Sequence, residues 1–132
     1  MATIQFWEKP GCLGNARQKA LLTASGHAVL ARDLRAEAWT AARLRPFFGD
    51  RPVAEWFNRT SPRVKSGEVR PDMLDEAAAL ALMLADPLLI RRPLMQVDGR
   101  CEAGFDPARV AAWIGLRSDM PAVDETCQRA GM

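Results

Sequence analysis

The first hydrophobic segments of the chain predict a β-α-β unit. Residues 3–7 (TIQFW) form a short apolar run with β-branched and aromatic members, which predicts a buried strand. After a Pro-Gly turn, the small and apolar residues within 16–24 recur at helical spacing, and Asn15 is the expected N-cap of that helix. Residues 28–34 predict a second strand. A strand, a helix and a strand in this spacing favour two parallel strands.

The middle of the chain predicts a helical insertion, about residues 40–86. Thr40 is placed to cap a short helix, and Pro52 suits the first turn of another. Residues 58–71 hold two prolines and a glycine among polar groups, which predicts a loop. Residues 77–85 (AAALALMLA) are apolar on every side, and this pattern predicts a helix that is largely buried.

The last third of the chain returns to strands. Residues 88–97 and 100–105 predict two strands, and the Asp-Gly pair at 98–99 is typical of a two-residue hairpin turn. Asp106 is a cap followed by proline, which predicts the start of a last helix. The complete order is β-α-β, helices, then β-β-α. It predicts an α/β domain over residues 1–116, followed by a flexible tail over 117–132.

The charge and hydrophobicity of the chain argue against two classes of partner, nucleic acid and membrane. Eighteen basic and 16 acidic residues give a net charge of +2, which is too balanced to indicate binding to nucleic acid or to a membrane surface. No run of 18 apolar residues occurs, and the N-terminal residues do not resemble a secretory signal. We therefore expect a cytoplasmic protein that has neither nucleic acid nor membrane as a partner.

The three cysteines, Cys12, Cys101 and Cys127, match no zinc-binding spacing, and His27 is the only histidine. We therefore expect no metal site and three thiols that are reduced in the cytosol. Cys101 falls on a predicted strand and is expected to be a packed thiol. Cys127 falls in the predicted tail, where it could reach a thiol of a partner, but we expect no role for it. We expect a structural role for His27.

Cys12 is the residue most suited to chemistry. It lies between a buried strand and a helix N-terminus, where free N–H groups and the helix dipole stabilise a thiolate and bind anions. Lys9, Arg17 and Lys19 add positive charge nearby. The alternative is that Cys12 is a small apolar side chain that happens to fall in a turn.

Arg91, Arg92 and Pro93 form a second unusual group, because two arginines stand within an apolar, strand-like run. We do not expect both to be ordinary surface residues. The alternative is that one arginine points to solvent while the other packs its stem or pairs with a carboxylate. A proline in such a run indicates an edge, a bulge or a cis peptide bond, so Pro93 is a possible cis-proline.

Three segments combine the Cys12 and Arg92–Pro93 motifs with a third short one: residues 6–22 (FWEKPGCLGNARQKALL), 87–94 (PLLIRRPL) and 103–105 (AGF). Together they resemble the ArsC/Spx family of glutaredoxin-coupled arsenate reductases and Spx-type regulators. Four segments are most similar to the subgroup called nitrogenase-associated protein: residues 6–12 (FWEKPGC), 39–49, 51–58 and 82–95 (LMLADPLLIRRPLM). The resemblance covers nearly residues 1–116 and implies a thioredoxin-like fold with a helical insertion.

The resemblance also implies a reaction. In the reductases a cysteine thiolate attacks arsenate, and Cys12 stands at its position. A family arginine before the proline holds the oxyanion, and Arg92 stands there. Arg17 is the basic residue that follows Cys12 in the loop and is expected to help bind the anion. Glutathione, as a co-substrate, and glutaredoxin supply the reducing thiols, and no other cofactor is implied.

The sequence departs from the reductase pattern in three places. The family's loop arginine comes earlier than Arg17, a further family arginine is missing near Gly104 and Phe105, and Asn15 replaces the second cysteine of the Spx C-x-x-C switch. Three functions therefore stay open. The first is an oxidoreductase that uses Cys12 as its single thiol. The second is a non-catalytic accessory module that binds nitrogenase components, and the weaker third is an Spx-like regulator.

Overall fold

A four-stranded sheet is the centre of the computed structural model, which describes residues 1–119 and 123. Its strands are β1 (Thr3–Glu8), β2 (Ala28–Asp33), β3 (Leu94–Val97) and β4 (Arg100–Ala103). The order across the sheet is β2-β1-β3-β4. β1 pairs with β2 in parallel, and the other two pairings are antiparallel. The α/β class and the predicted order of strands and helices are confirmed.

Helices connect and cover these strands. The α-helices among the described residues are α1 (Leu13–Ala24), α2 (Ala41–Leu44), α3 (Pro62–Lys65), α4 (Glu76–Ala85) and α5 (Pro107–Ile114). Short 3-10 helices lie at Arg45–Phe48, Val53–Trp56, Pro71–Met73 and Pro87–Leu89. The segment between β2 and β3 is the helical insertion. It includes α3, so the prediction of a plain loop over residues 58–71 was wrong. Pro62 opens this single turn, since its missing N–H is not needed there.

Helix α1 begins earlier than the sequence predicts. Cys12 is its N-cap, because the Cys12 sulfur accepts a hydrogen bond from the main-chain N–H of Asn15. Asn15 is therefore inside the first turn and is not the cap. The helix ends at Ala24, and Gly26 then takes a φ of +91°, the left-handed conformation that glycine adopts without strain.

Helix α4 lies at the surface, which contradicts the prediction that residues 77–85 are largely buried. Only Ala79 and Met83, which are one turn apart, are fully buried, and Leu84 is 38% exposed. The apolar pattern is uniform around this helix, so it does not indicate which face meets the core. Contact with the rest of the insertion decides that.

The predicted strand 88–97 is only partly formed, because its first half pairs with the insertion instead of the sheet. The N–H of Arg91 donates to the Trp56 carbonyl at 2.9 Å, and the N–H of Asn58 donates to the Leu89 carbonyl at 2.8 Å. The sheet strand begins only after Pro93. The predicted strand 100–105 ends at Ala103, because Gly104 takes a φ of +80°, which lies outside the extended conformation of a strand.

Two apolar cores lie on the sheet. The larger one joins β1 and β3 to the insertion and holds Trp56, Phe48 and Ile90. The smaller one joins Phe6 and Met95 of the sheet to α1 and α5. Apart from 117–119 and 123, the residues of the predicted flexible tail lie outside the described part of the chain. Among the helices described, none is both long and apolar enough to cross a membrane.

Candidate functional site

The Cys12 turn and the Arg92–Pro93 segment meet at one end of the sheet. β1 runs into the Cys12 turn, which we define as residues 9–12. β3 runs antiparallel to β1, with Trp7 opposite Leu94, so β3 starts where β1 ends. Pro93 and Cys12 therefore belong to the same edge of the sheet. This edge, with the Cys12 turn and Arg92, is the candidate site.

Cys12 is held at the amino end of α1 by main-chain contacts. Its N–H donates to the Lys9 carbonyl at 3.1 Å, which closes the turn, and its carbonyl accepts from the N–H of Ala16. The N–H of Asn15 points at the sulfur, at an N···S distance of 3.4 Å. Cys12 is 4% exposed. Its sulfur is disulfide-bonded in this structure, so the expectation of three reduced thiols was wrong for Cys12. A thiolate at this place belongs to the reduced chain.

A buried amide pair supports the turn from inside α1. The side-chain oxygen of Asn15 accepts from the N–H of Lys9 at 3.2 Å, and its side-chain nitrogen donates to Gln18 Oε1 at 2.9 Å. Asn15 is 1% exposed and Gln18 is fully buried. Asn15 therefore contacts the turn on one side, the sulfur through its own N–H, and Gln18 on the other side.

Arg92 is buried, with 8% of its surface exposed, and its peptide bond to Pro93 is cis, as the sequence suggested. Arg91 points elsewhere: its guanidinium donates to the Glu55 carbonyl at 3.0 Å. Arg91 is thus half-buried against the insertion and Arg92 is buried at the site edge, which disfavours the alternative that one of them simply points to solvent.

The other basic residues near Cys12 have different surroundings. Arg17 lies on the exposed side of α1, and its expected role in anion binding stays a prediction. Lys19 pairs with Glu8, the last residue of β1, at 2.8 Å. This ion pair joins α1 to the end of β1. Lys19 is therefore part of the support behind the turn.

The remaining cysteines differ from Cys12. Cys101 lies on β4 and packs beside the larger core. Its burial, and then the neighbouring Glu102 carboxylate, raise the pKa of the Cys101 thiol, so it is a poor nucleophile at neutral pH. Cys127 lies outside the described residues.

The lone histidine, His27, has a structural place. Its Nδ1 accepts from the N–H of Ala2 at 3.0 Å, and its Nε2 lies 2.8 Å from the Gly115 carbonyl. These contacts join the start of β1 to the end of α5, far along the chain. In the described part of the chain, no cluster of three or more His, Cys, Asp or Glu side chains is arranged to hold a metal ion.

Sequence reasoning missed the Asn15–Gln18 pair and the Glu8–Lys19 ion pair. The i, i+3 spacing of Asn15 and Gln18 is compatible with a side-chain contact on a helix, but it does not say that both amides are buried. Glu8 and Lys19 lie on different elements. Their contact depends on how α1 packs against β1.

Comparisons with known proteins agree with this architecture. The model of the ArsC family matches residues 14–113. An uncharacterised 15.7 kDa protein from the draG 3′ region of Rhodospirillum rubrum is 61% identical over 127 residues, which are 96% of this chain and 89% of that protein.

Solved structures show the same fold. An arsenate reductase from Vibrio cholerae superposes with a TM-score of 0.69 at 21% identity, over 84% of this chain and 97% of the other. An arsenate reductase (ArsC) related protein from Brucella melitensis gives 0.64 at 24% identity, over 84% and 93%. These likenesses confirm the thioredoxin-like fold with its helical insertion. Because the family match spans most of the chain and includes both the α1 segment and the Arg92–Pro93 segment, this protein belongs to the ArsC family.

Proposed function

We propose that this chain is a thiol-dependent reductase of an arsenate-like oxyanion, with Cys12 as its nucleophile. One observation carries the proposal: the Cys12 sulfur caps α1 and receives the Asn15 N–H, at the sheet edge where Arg92 precedes β3. An anionic sulfur and a bound oxyanion both need N–H donors and positive charge. The amino end of α1 and the Arg92 guanidinium supply both.

Each residue has a distinct role in this proposal. The reduced Cys12 thiolate attacks the central atom of the anion. Arg92 binds the anion's oxygens, for which a planar guanidinium with paired donors is well suited. Arg17, on the exposed side of α1, attracts the anion to the helix N-terminus. Burial of Arg92 strengthens such charge interactions because less water screens them.

For arsenate, the atoms and electrons balance with glutathione as the co-substrate. Attack by Cys12 forms a sulfur–arsenic bond and breaks one arsenic–oxygen bond, and the oxygen leaves as water. Over the full cycle two thiols lose one electron each and join as a disulfide, while arsenic(V) becomes arsenic(III). The two thiol protons leave with the lost oxygen. Glutaredoxin is the proposed protein partner that returns Cys12 to its reduced form, and these are reductants of the cytoplasm.

The test is arsenate-dependent oxidation of glutathione in the presence of glutaredoxin, followed through NADPH consumption by glutathione reductase. We expect the pre-reduced protein to turn over, Cys12→Ser to abolish the rate, and Arg92→Met to lower kcat/KM by at least about a hundredfold, as for a lost charged contact. Cys101→Ser is the matched control and should keep the rate. A rate that is the same with and without the Cys12 sulfur would refute the proposal.

The second candidate function is an accessory role connected with nitrogenase, which the nitrogenase-associated subgroup resemblance suggests. The observation that favours it is the incomplete anion clamp. The place of a further family arginine is taken by Gly104 and Phe105, neither of which has a cationic side chain. The 61% identical relative is described by its place beside draG.

The aromatic residues of the insertion do not by themselves indicate a binding surface for such a partner. Phe47, Phe48, Trp56 and Phe57 are core residues, each at most 4% exposed. The test is purification of the tagged chain from nitrogen-fixing cells with quantitative mass spectrometry. Specific enrichment of nitrogenase components that is unchanged in Cys12→Ser supports the accessory role. Recovery of those components at the level of an untagged control contradicts it.

A further inference from the structure

We propose that Asn15 is a positioning residue for Cys12. Its side chain fixes the Cys12 turn to α1, so that its own main-chain N–H stays directed at the sulfur. This inference rests on the proposed use of Cys12 as a nucleophile. It concerns the acidity and reactivity of the thiol, and it does not depend on which oxyanion is the substrate.

The geometry makes Asn15 the meeting point of the turn, the sulfur and the helix. Its Oδ1 accepts from the N–H of Lys9, and its Nδ2 donates to Gln18 Oε1. The Lys9 carbonyl in turn accepts from the N–H of Cys12. The two ends of the Cys12 turn are thus joined to each other and, through Asn15, to the first two turns of α1. A shift of the Asn15 side chain would also move the N–H that faces the sulfur.

The burial of this amide pair indicates that its hydrogen bonds, and not only its packing, fix the local structure. Asn15 and Gln18 are on the inner face of α1, where Leu21 and Leu22 continue the same buried side. An apolar side chain at either place would pack there without the cost of removing an amide from water. A buried polar pair whose hydrogen bonds are satisfied restricts its surroundings to one arrangement. Here that arrangement is the Cys12 turn.

Asn15 also has a chemical consequence because of its place three residues after Cys12. A thiol at this place could form a disulfide within the helix turn, as in C-x-x-C motifs. The amide cannot be oxidised and carries no charge. It therefore fixes the sulfur without competing for it, and the reduced Cys12 thiolate keeps the N–H donor that stabilises its charge.

The experiment measures the rate of Cys12 alkylation by iodoacetamide from pH 4 to pH 10. The background is the full chain with Cys101→Ser and Cys127→Ser, reduced beforehand and freed of reductant, so that Cys12 is the only thiol. The variants are Asn15→Ala, which removes both side-chain hydrogen bonds, and Gln18→Met, which removes only the acceptor for Asn15. Asp75→Ala is the control, because it removes the cap of α4 in the insertion.

We expect Asn15→Ala to slow alkylation at neutral pH by about tenfold and Gln18→Met by about threefold, with all rates converging at high pH where every thiol is ionised. Asp75→Ala should lower the melting temperature and leave the alkylation profile unchanged. A profile for Asn15→Ala that superposes on that of the parent overturns the inference. If Asn15→Ala does not fold, as judged by circular dichroism, an unchanged profile for Gln18→Met overturns it instead.

The outcome is separate from that of the reductase assay. Alkylation needs neither oxyanion nor glutaredoxin, so an Asn15-dependent profile without arsenate reduction would remove the proposed substrate and keep the positioning role. Arsenate reduction together with an alkylation profile that is independent of Asn15 would keep the proposed substrate and remove the positioning role.

Discussion

The ion pair between Glu8 and Lys19 allows a quantitative test of how α1 is held behind the Cys12 turn. Lys19 Nζ lies 2.8 Å from Glu8 Oε2, and the two side chains are 31% and 10% exposed. The perturbation is a double-mutant cycle built from Lys19→Met, Glu8→Gln and the double variant. Methionine keeps most of the lysine stem, so the change is mainly the loss of charge.

The magnitude follows from distance and burial. At 2.8 Å the Coulomb attraction is about 1.5 kcal/mol in water and about 6 kcal/mol at an effective dielectric constant of 20. Removing the Glu8 carboxylate from water offsets part of this, and hydrogen bonds between charged groups contribute about 1.5–3 kcal/mol net. We therefore expect a coupling energy of about 2 kcal/mol. Lys19→Met should cost more than Glu8→Gln, because it leaves a buried carboxylate without its cation.

The assay is urea unfolding followed by tryptophan fluorescence, with the coupling energy taken from the four free energies of unfolding. The matched control is the same cycle for Arg45 and Glu76, an ion pair whose side chains are 35% and 58% exposed. Exposed pairs contribute at most about 1 kcal/mol. A Glu8–Lys19 coupling no larger than that of the control pair would refute the reasoning and would mean that this ion pair adds little to the hydrogen bonds and apolar contacts that hold α1.

Two further predictions follow from titratable groups on β4. Burial disfavours ionisation of Glu102, but hydrogen bonds from Arg100 and Arg109 outweigh it and hold the pKa of this carboxyl below its usual value. The ionised Glu102 carboxylate stabilises the fold fully above the ordinary carboxyl pKa, and this stabilisation is lost as pH falls through the lowered pKa. Glu102→Gln should therefore lower the free energy of unfolding in urea by about 1 kcal/mol at pH 7 and leave it unchanged near pH 2. The same loss at both pH values would contradict this prediction. Burial raises the pKa of the Cys101 thiol, so less of it is ionised at pH 7. Timed alkylation followed by peptide mass spectrometry should therefore find reduced Cys12 labelled at least about tenfold faster than Cys101. Equal rates would count against Cys12 as the nucleophile.

Because the family arginine near Gly104 is missing, the two functional proposals differ in how strongly they depend on Arg92. In a clamp with fewer guanidinium groups, each remaining donor carries a larger share of the anion's charge. The reductase proposal therefore depends heavily on Arg92 and on the N–H groups at the start of α1. The accessory role does not depend on Arg92. Arg92→Met should therefore lower the rate of arsenate-dependent glutathione oxidation if the chain is a reductase, and should leave an accessory role unaffected.

Local sequence signals determined the connectivity of the fold. The apolar run of β1, the spacing of α1 and the second strand predicted the parallel pair, which the register from Thr3 opposite Ala28 confirms. The Asp-Gly turn predicted the β3–β4 hairpin, and Asp106 caps α5 as expected. These features depend on residues close together in the chain, so the sequence contains the information that specifies them.

The sequence-based predictions failed where contacts between distant segments decide which backbone groups pair or which face of a helix is buried. Residues before Pro93 have the composition of a strand, but their N–H and C=O groups find partners in the insertion around Trp56 and Asn58. Residues 77–85 of helix α4 are all apolar, and only packing decides that Ala79 and Met83 face inward. No local pattern specifies such choices, because every backbone polar group must find a partner somewhere in the folded chain.

The candidate site divides in the same way. The sequence by itself determined that Cys12 stands at the start of a helix and that Arg92 precedes a proline before a strand. Only the tertiary structure decided that β1 and β3 are neighbours, which brings the Cys12 turn and Arg92 to one edge of the sheet. It also decided that Asn15 and Gln18 are buried together and hydrogen-bonded to each other. The physical reason is that reactivity here depends on burial and on hydrogen bonds, and both are set by packing between elements.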